Sequence, residues 1–184
     1  MSRRIVLLIG LAVLALVLVG GEAGVGKSRL LYEFSNWIDL IDEQLWLFQA
    51  RAVQPAMLQP YSLTRDLFAF RFQILDSDPR PVVHEKFISG VAGFLGSGTA
   101  EKARLMGHFI GFDFSDSPAV QTALETLDQF EEQALSILGA FFSAAARINP
   151  VMIQIEDIHW ADDHSLDLIN VLLRDNLDLP LFVI

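Results

Sequence analysis

The sequence predicts an α/β fold, a parallel sheet covered by helices and built around a phosphate-binding loop. Three observations lead there. Short apolar runs alternate with stretches of helical patterning along the 184 residues, which is the pattern of strand–helix–strand units. The run ending at Val19 stops at Gly20-Gly21 and restarts as a helix, so that Gly21, Gly26, Lys27 and Ser28 fill the spacing G-x-x-x-x-G-K-[ST]. A second apolar run, Val151 to Ile155, ends on the paired acids Glu156 and Asp157.

Composition narrows the class. With 52% hydrophobic and 20% charged residues and a mean hydropathy of +0.40, the chain is globular and about one domain in size. A net charge of -10 argues against a surface that neutralises a phosphate backbone, so nucleic acid is not the expected partner. The absence of cysteine removes a disulfide framework, a thiolate metal site and a cysteine nucleophile, and fits a reducing cytoplasm.

The first element needs a decision. Ser2-Arg3-Arg4 followed by the apolar stretch Ile5 to Val19 has the look of a signal anchor. As a helix that stretch spans about 22 Å, short of a hydrocarbon core of roughly 30 Å. It would also consume Leu16 to Val19, which the loop needs as a buried parallel strand. Arg3 and Arg4, held inside, would send the phosphate site outward. The preferred reading is an apolar N-terminal segment over residues 1–14 and a buried strand at about Ala15 to Val19; membrane association through residues 5–19 is the alternative.

Residues Gly21, Glu22, Ala23, Gly24, Val25, Gly26, Lys27, Ser28 and Arg29 then form the candidate phosphate site. Glycines let backbone N–H groups curl around phosphate oxygens with no Cβ in the way. The helix that follows aims unpaired N–H groups and its positive dipole end at the same anion. Lys27 would reach the phosphates as a point charge, and the Ser28 hydroxyl would ligate Mg²⁺.

Beyond the loop, Leu30, Leu31, Phe34, Trp37, Ile38 and Ile41 fall at helical spacing over residues 27–41. Leu45 to Ala50 reads as a second strand. The stretch Tyr61 to Leu75 fits both periods and is read as a helix with the stripe Leu63, Leu67, Phe70 and Ile74. Helical patterning resumes over Val82 to Leu95, ends at the Gly96-Ser97-Gly98 turn, and returns over Ala100 to Ile110. From Pro118 to Ile148 the apolar positions predict one long helix or two in line. Val151 to Ile155 is the third strand, Asp162 or Asp163 caps the next helix, and Leu179 to Ile184 is the fourth strand. His84, His108 and His164 lack a metal-ligand spacing, and Phe68, Phe70 and Phe72 read as core.

Glu156 and Asp157 are the second half of the site. One carboxylate can hold Mg²⁺ and the next can orient or deprotonate a water. By position Glu156 is the metal carboxylate and Asp157 the water-activating one; the commoner order is Asp then Glu, so the division of roles stays open.

Gly21 to Leu31 together with Glu-Asp-Ile-His-Trp-Ala-Asp-Asp (156 to 163) resembles the AAA-type, origin-recognition-like ATPase module of the STAND group, found in regulators fused to adenylate/guanylate cyclase domains, to LuxR-type regulators and to tetratricopeptide repeats. Pro60 to Phe68 and Gly111 to Asp116 also resemble segments of the cyclase-associated members. The resemblance implies a P-loop NTPase three-layer sandwich over residues 15–184, truncated after the fourth strand, before the family's polar sensor and helical lid. It implies ATP and Mg²⁺ as ligands, catalysis by Lys27, Glu156 and Asp157, slow hydrolysis coupled to a conformational switch, and further domains of the same polypeptide as partners. No N-K-x-D guanine motif is present, which favours ATP over GTP. Ile158, His159 and Trp160 read either as couplers of nucleotide state or as a packed aromatic beside a capping histidine. Two functions compete, an ATP-hydrolysing regulatory module and a nucleotide-gated scaffold that does not turn ATP over.

Overall fold

The computed structural model describes residues 14–22, 24–38, 40, 44–175 and 178–184. The apolar segment up to residue 13, Ala23 of the loop and Ile41 of the first predicted helix lie outside them. Four strands, β1 (Leu14–Leu16), β2 (Trp46–Arg51), β3 (Val151–Glu156) and β4 (Leu181–Val183), form one sheet in the order β1-β4-β3-β2. All three pairings are parallel, with Leu14 beside Leu181, Val151 beside Leu181, and Arg51 beside Glu156. The fourth predicted strand therefore lies next to the strand of the phosphate loop.

The helices are α1 (Lys27–Ile38), α2 (Ser62–Arg71), α3 (Arg80–Leu95), α4 (Ala100–Phe109), α5 (Pro118–Leu124), α6 (Leu127–Ile148) and α7 (Asp163–Asp175). Topology sorts them onto two faces. The crossover from β1 to β2 runs across the sheet in one direction, and those from β2 to β3 and β3 to β4 run in the other. Right-handed crossovers then put α1 on one face and the remaining helices on the opposite one. The side chains agree: the Ser35 hydroxyl of α1 donates to Gln154 Oε1 at 3.0 Å from one face of β3. From the opposite face Phe48, paired in register with Ile153, packs against Phe68 of α2 and Phe141 and Phe142 of α6. The result is a three-layer sandwich with a parallel sheet.

Its core is aromatic. Phe48, Phe68, Phe87, Phe114 and Phe141 are fully buried, and Phe141 meets Phe68, Phe94 and Phe142 with ring centroids 4.9–5.4 Å apart in edge or tilted geometry, the separations at which such pairs add to simple burial.

Three expectations are corrected. The lead-in to the loop is a short strand rather than a buried one over Ala15 to Val19: it ends at Leu16 and pairs only with β4 among the described residues, leaving Leu16, Val17 and Leu18 exposed. In α1 only Leu31 and Ile38 are buried; Leu30 and Trp37 flank that line and are exposed. Helix α2 stops at Arg71 because Gln73 takes a left-handed conformation (φ 55°) and the Ile74 N–H reaches back to the Ala69 carbonyl at 2.8 Å, a closure that ends a helix. Its inward face carries Leu63, Thr64, Leu67 and Phe68, whereas Phe70 is exposed. Of the two readings for Pro118 to Ile148 the second holds: it is two helices, interrupted at Glu125-Thr126. Among the described residues no helix is long and apolar enough to cross a membrane.

Candidate functional site

In a parallel sheet every strand delivers its following loop to the same edge, and ligands gather in the crevice outside those carboxyl ends. Here β1 delivers the glycine loop and β3 delivers the acids. Both line one cleft of about 600 Å³, which brings together Gly21, Gly24, Gly26, Lys27, Ser28 and Arg29 with Glu156, Asp157 and His159.

The loop's geometry follows from its glycines. Gly24 and Gly26 have φ of 81° and 101°, values a side chain resists and glycine accepts. Helix α1 begins at Lys27, and the Gly26 carbonyl accepts its first bond, from the Leu30 N–H at 2.9 Å. The first turn of α1 holds no acidic side chain, so the positive end of the helix is not neutralised by its own sequence. The Lys27 ammonium donates to the carbonyl oxygens of Gly21 and Glu22 at 2.8 and 2.9 Å. It therefore arches over the loop, with one of its three hydrogens remaining. Ser28 is exposed on the cleft wall. Arg29 also lines the cleft, yet its guanidinium pairs with Glu33 one turn on and lies 5.7 Å from the Tyr32 ring. Val25 sits in the loop with its side chain exposed.

On the other wall, Glu156 is the last residue of β3. Side chains alternate along a strand, so Glu156 shares the face of Gln154, and Gln154 is bonded to Ser35 of α1. Glu156 thus stands on the same side of the sheet as the loop helix. Asp157 breaks the strand with a left-handed backbone (φ 53°, ψ 40°), a conformation that aspartate tolerates better than most residues. Its carbonyl accepts from the Trp160 N–H at 2.9 Å and starts the 3-10 turn Ile158–Trp160. Its carboxylate is engaged: Arg51 Nε donates to Asp157 Oδ2 at 2.9 Å.

Arg51 was not foreseen from the sequence. It closes β2 opposite Glu156, and only the β2–β3 register places it beside Asp157. A second unforeseen arrangement centres on Asp162. Besides capping α7 through the Ser165 N–H (2.9 Å), it accepts from the Tyr61 N–H (2.8 Å), the Leu63 N–H (3.1 Å) and the Ser62 hydroxyl (3.1 Å), all at the start of α2. Ser165 extends the joint by accepting from the Thr64 N–H and hydroxyl. Burial pushes the Asp162 carboxyl upward, but the N–H groups of Leu63, Ser165 and Tyr61 and the Ser165 hydroxyl outweigh it and hold the group below its ordinary value. The signal for this second role was the Pro-Tyr-Ser-Leu run at 60–63, which supplies the donors.

His159 lines the cleft and Trp160 packs on the core, the two rings 4.9 Å apart. Among the described residues no group of three or more metal-ligating side chains occurs. A family model of the AAA ATPase domain matches residues 11–184. No curated protein and no solved structure matches the chain.

Proposed function

Because the chain belongs to the AAA ATPase domain family, a family of nucleotide-binding ATPase-like modules, we propose that it binds ATP with Mg²⁺ and hydrolyses it slowly as the switch of a regulatory protein. The observation that carries this reading is the single cleft in which Lys27 and Ser28 face Glu156 and Asp157.

In this reading the loop amides and the start of α1 receive the phosphates. Lys27 exchanges its two loop carbonyls for phosphate oxygens, a stronger, charge-assisted pairing. Mg²⁺ is a hard cation that takes oxygen ligands and keeps several waters. The Ser28 hydroxyl and Glu156 carboxylate suit it as the two protein ligands, and when bound it neutralises charge on the phosphates. Asp157 orients a water toward the γ-phosphorus and takes its proton as the new P–O bond forms; the bond to the β-phosphate oxygen breaks and ADP leaves. Asp157 Oδ1 accepts no hydrogen bond from a described residue, so Arg51 can hold Oδ2 while Oδ1 meets the water. The resemblance to STAND regulators supports cytoplasmic output through further domains of the same polypeptide, of the cyclase, LuxR-type or tetratricopeptide kind.

Lys27→Ala should weaken Mg²⁺-dependent ATP binding by about a hundredfold, the scale of losing a charge-assisted pair, read by titration calorimetry; unchanged affinity overturns the reading. A non-hydrolysing scaffold is favoured instead by one observation, the Arg51 pair on Asp157. Single-turnover assays separate the two. Asp157→Asn traps ATP on a hydrolysing protein and changes nothing on a scaffold.

A further inference from the structure

Away from the phosphate cleft, and sharing no residue with it, a groove of about 470 Å³ runs between α6 and α7. Tyr61 closes one end. Its residue is only 9% exposed, its ring is held 4.4 Å from Phe109 and 5.4 Å from His164, and its phenol makes no hydrogen bond to a described residue. The hydroxyl itself reaches solvent through the groove, so a ligand seated there can take the hydrogen bond that water otherwise supplies.

The rest of the lining specifies what that something is. Glu131 of α6 and Asp167 of α7 flank the groove, both exposed and neither in an ion pair among the described residues. No lysine or arginine lines it, and Leu135, Leu168 and Leu172 give it an apolar floor. Burial first, then the charges of Glu131, Asp162 and Asp167, push the Tyr61 phenol above its ordinary value. An anionic ligand would be repelled there, and a purely apolar one would leave the phenol and both carboxylates unanswered.

We propose that the α6–α7 groove binds an alkylammonium group, its cation set between Glu131, Asp167 and the Tyr61 hydroxyl and its hydrocarbon arm over the leucines. A free amine and a lysine side chain of a protein share this chemistry.

The test uses the full chain and n-hexylammonium as probe, with n-hexanol and hexanoate as controls. Calorimetry should give one-site binding of hexylammonium about tenfold tighter than hexanol, two exposed charge contacts being worth about that much, and no binding of hexanoate. The pair Glu131→Gln and Asp167→Asn, at exposed positions where folding tolerates change, should erase the preference for the ammonium. Tyr61→Phe, which keeps the ring, should weaken hexylammonium more than hexanol. Lys27→Ala should leave the amine affinity intact, which separates this site from the nucleotide cleft. N-acetyl-lysine methylamide distinguishes the sources: binding as tight as hexylammonium assigns the groove to a protein lysine, and weaker binding assigns it to free amines. Equal affinity for hexanol and hexylammonium, or an unchanged preference in the double variant, overturns the proposal.

Discussion

The phosphate loop and the Asp162 joint stand at the same edge of the sheet and are built in opposite ways. In the loop, the backbone is bent through positive φ at Gly24 and Gly26, the side chains of Val25 and Ser28 are exposed, and the Lys27 ammonium is occupied only by its own loop's carbonyls. In the joint, Asp162 and Ser165 are 2% and 0% exposed, and their oxygens are filled by donors from two helices. The difference separates two tasks. A site that receives an anion keeps its donors exposed or on its own loop's carbonyls, from which an anion can draw them; a joint that holds helices together pairs the polar atoms it buries. Function and stability are thus lodged in neighbouring but distinct parts of one edge.

The comparison breaks most severely on the stability side. Removing the Phe141 ring, which touches Phe48, Phe68, Phe94 and Phe142, should destabilise the fold by about 4 kcal/mol, the usual scale for a buried Phe→Ala. Urea unfolding checks this; a loss below about 1 kcal/mol would show the aromatic core to be less consequential than its packing indicates.

Asp162→Ala comes next, at about 3 kcal/mol, because one substitution removes the caps of α2 and α7 together and strands buried N–H groups. This group also sets a pH dependence. Its carboxyl is held below the ordinary carboxylate value, so its contribution is complete above about pH 4 and is lost as pH falls through the folded-state value. The acid limb of the stability curve should flatten in Asp162→Asn, measured by urea midpoints between neutral and acid pH. An equally steep limb would place the acid sensitivity elsewhere.

The same contrast explains what the sequence made legible. The loop was readable because its backbone shape admits only glycine at Gly24 and Gly26 and its chemistry needs Lys27 and Ser28 in fixed succession. The acids were readable because they end an apolar strand run in a chain that also carries the Lys27 loop. The parallel, helix-covered sheet followed from alternation of strands and helices, whereas burial of the first strand did not: an apolar run records affinity for a neighbour without recording which neighbour, and β1 has one on a single side among the described residues. Phe68, Phe70 and Phe72 fit two periods, so only packing shows that Phe68 points inward and Phe70 outward. The links from Tyr61, Ser62 and Leu63 to Asp162 span about a hundred residues, and Arg51 meets Asp157 only through strand register. Gln154 was visible as a polar residue inside an apolar strand, but its partner Ser35 lies on another element.

The smallest effect on stability is expected at Arg51, and it sharpens the comparison most. Its side chain is 68% exposed and that of Asp157 35%, so solvent screens the pair and its removal should cost no more than about 0.5 kcal/mol. Arg51→Gln should therefore leave the unfolding midpoint in urea nearly where it was, while Asp162→Ala moves it far. Yet the guanidinium restrains Asp157, the carboxylate to which the proposed reaction gives the orienting of water, and in that reaction the restraint bears on turnover. If the chain hydrolyses ATP, Arg51→Gln should alter the single-turnover rate while ATP affinity and stability stay constant, because the loop, α1 and Glu156 are untouched. A large loss of stability in this variant would mean that the cleft rim also holds the fold together, and the division between receiving edge and holding joint would fail at this residue.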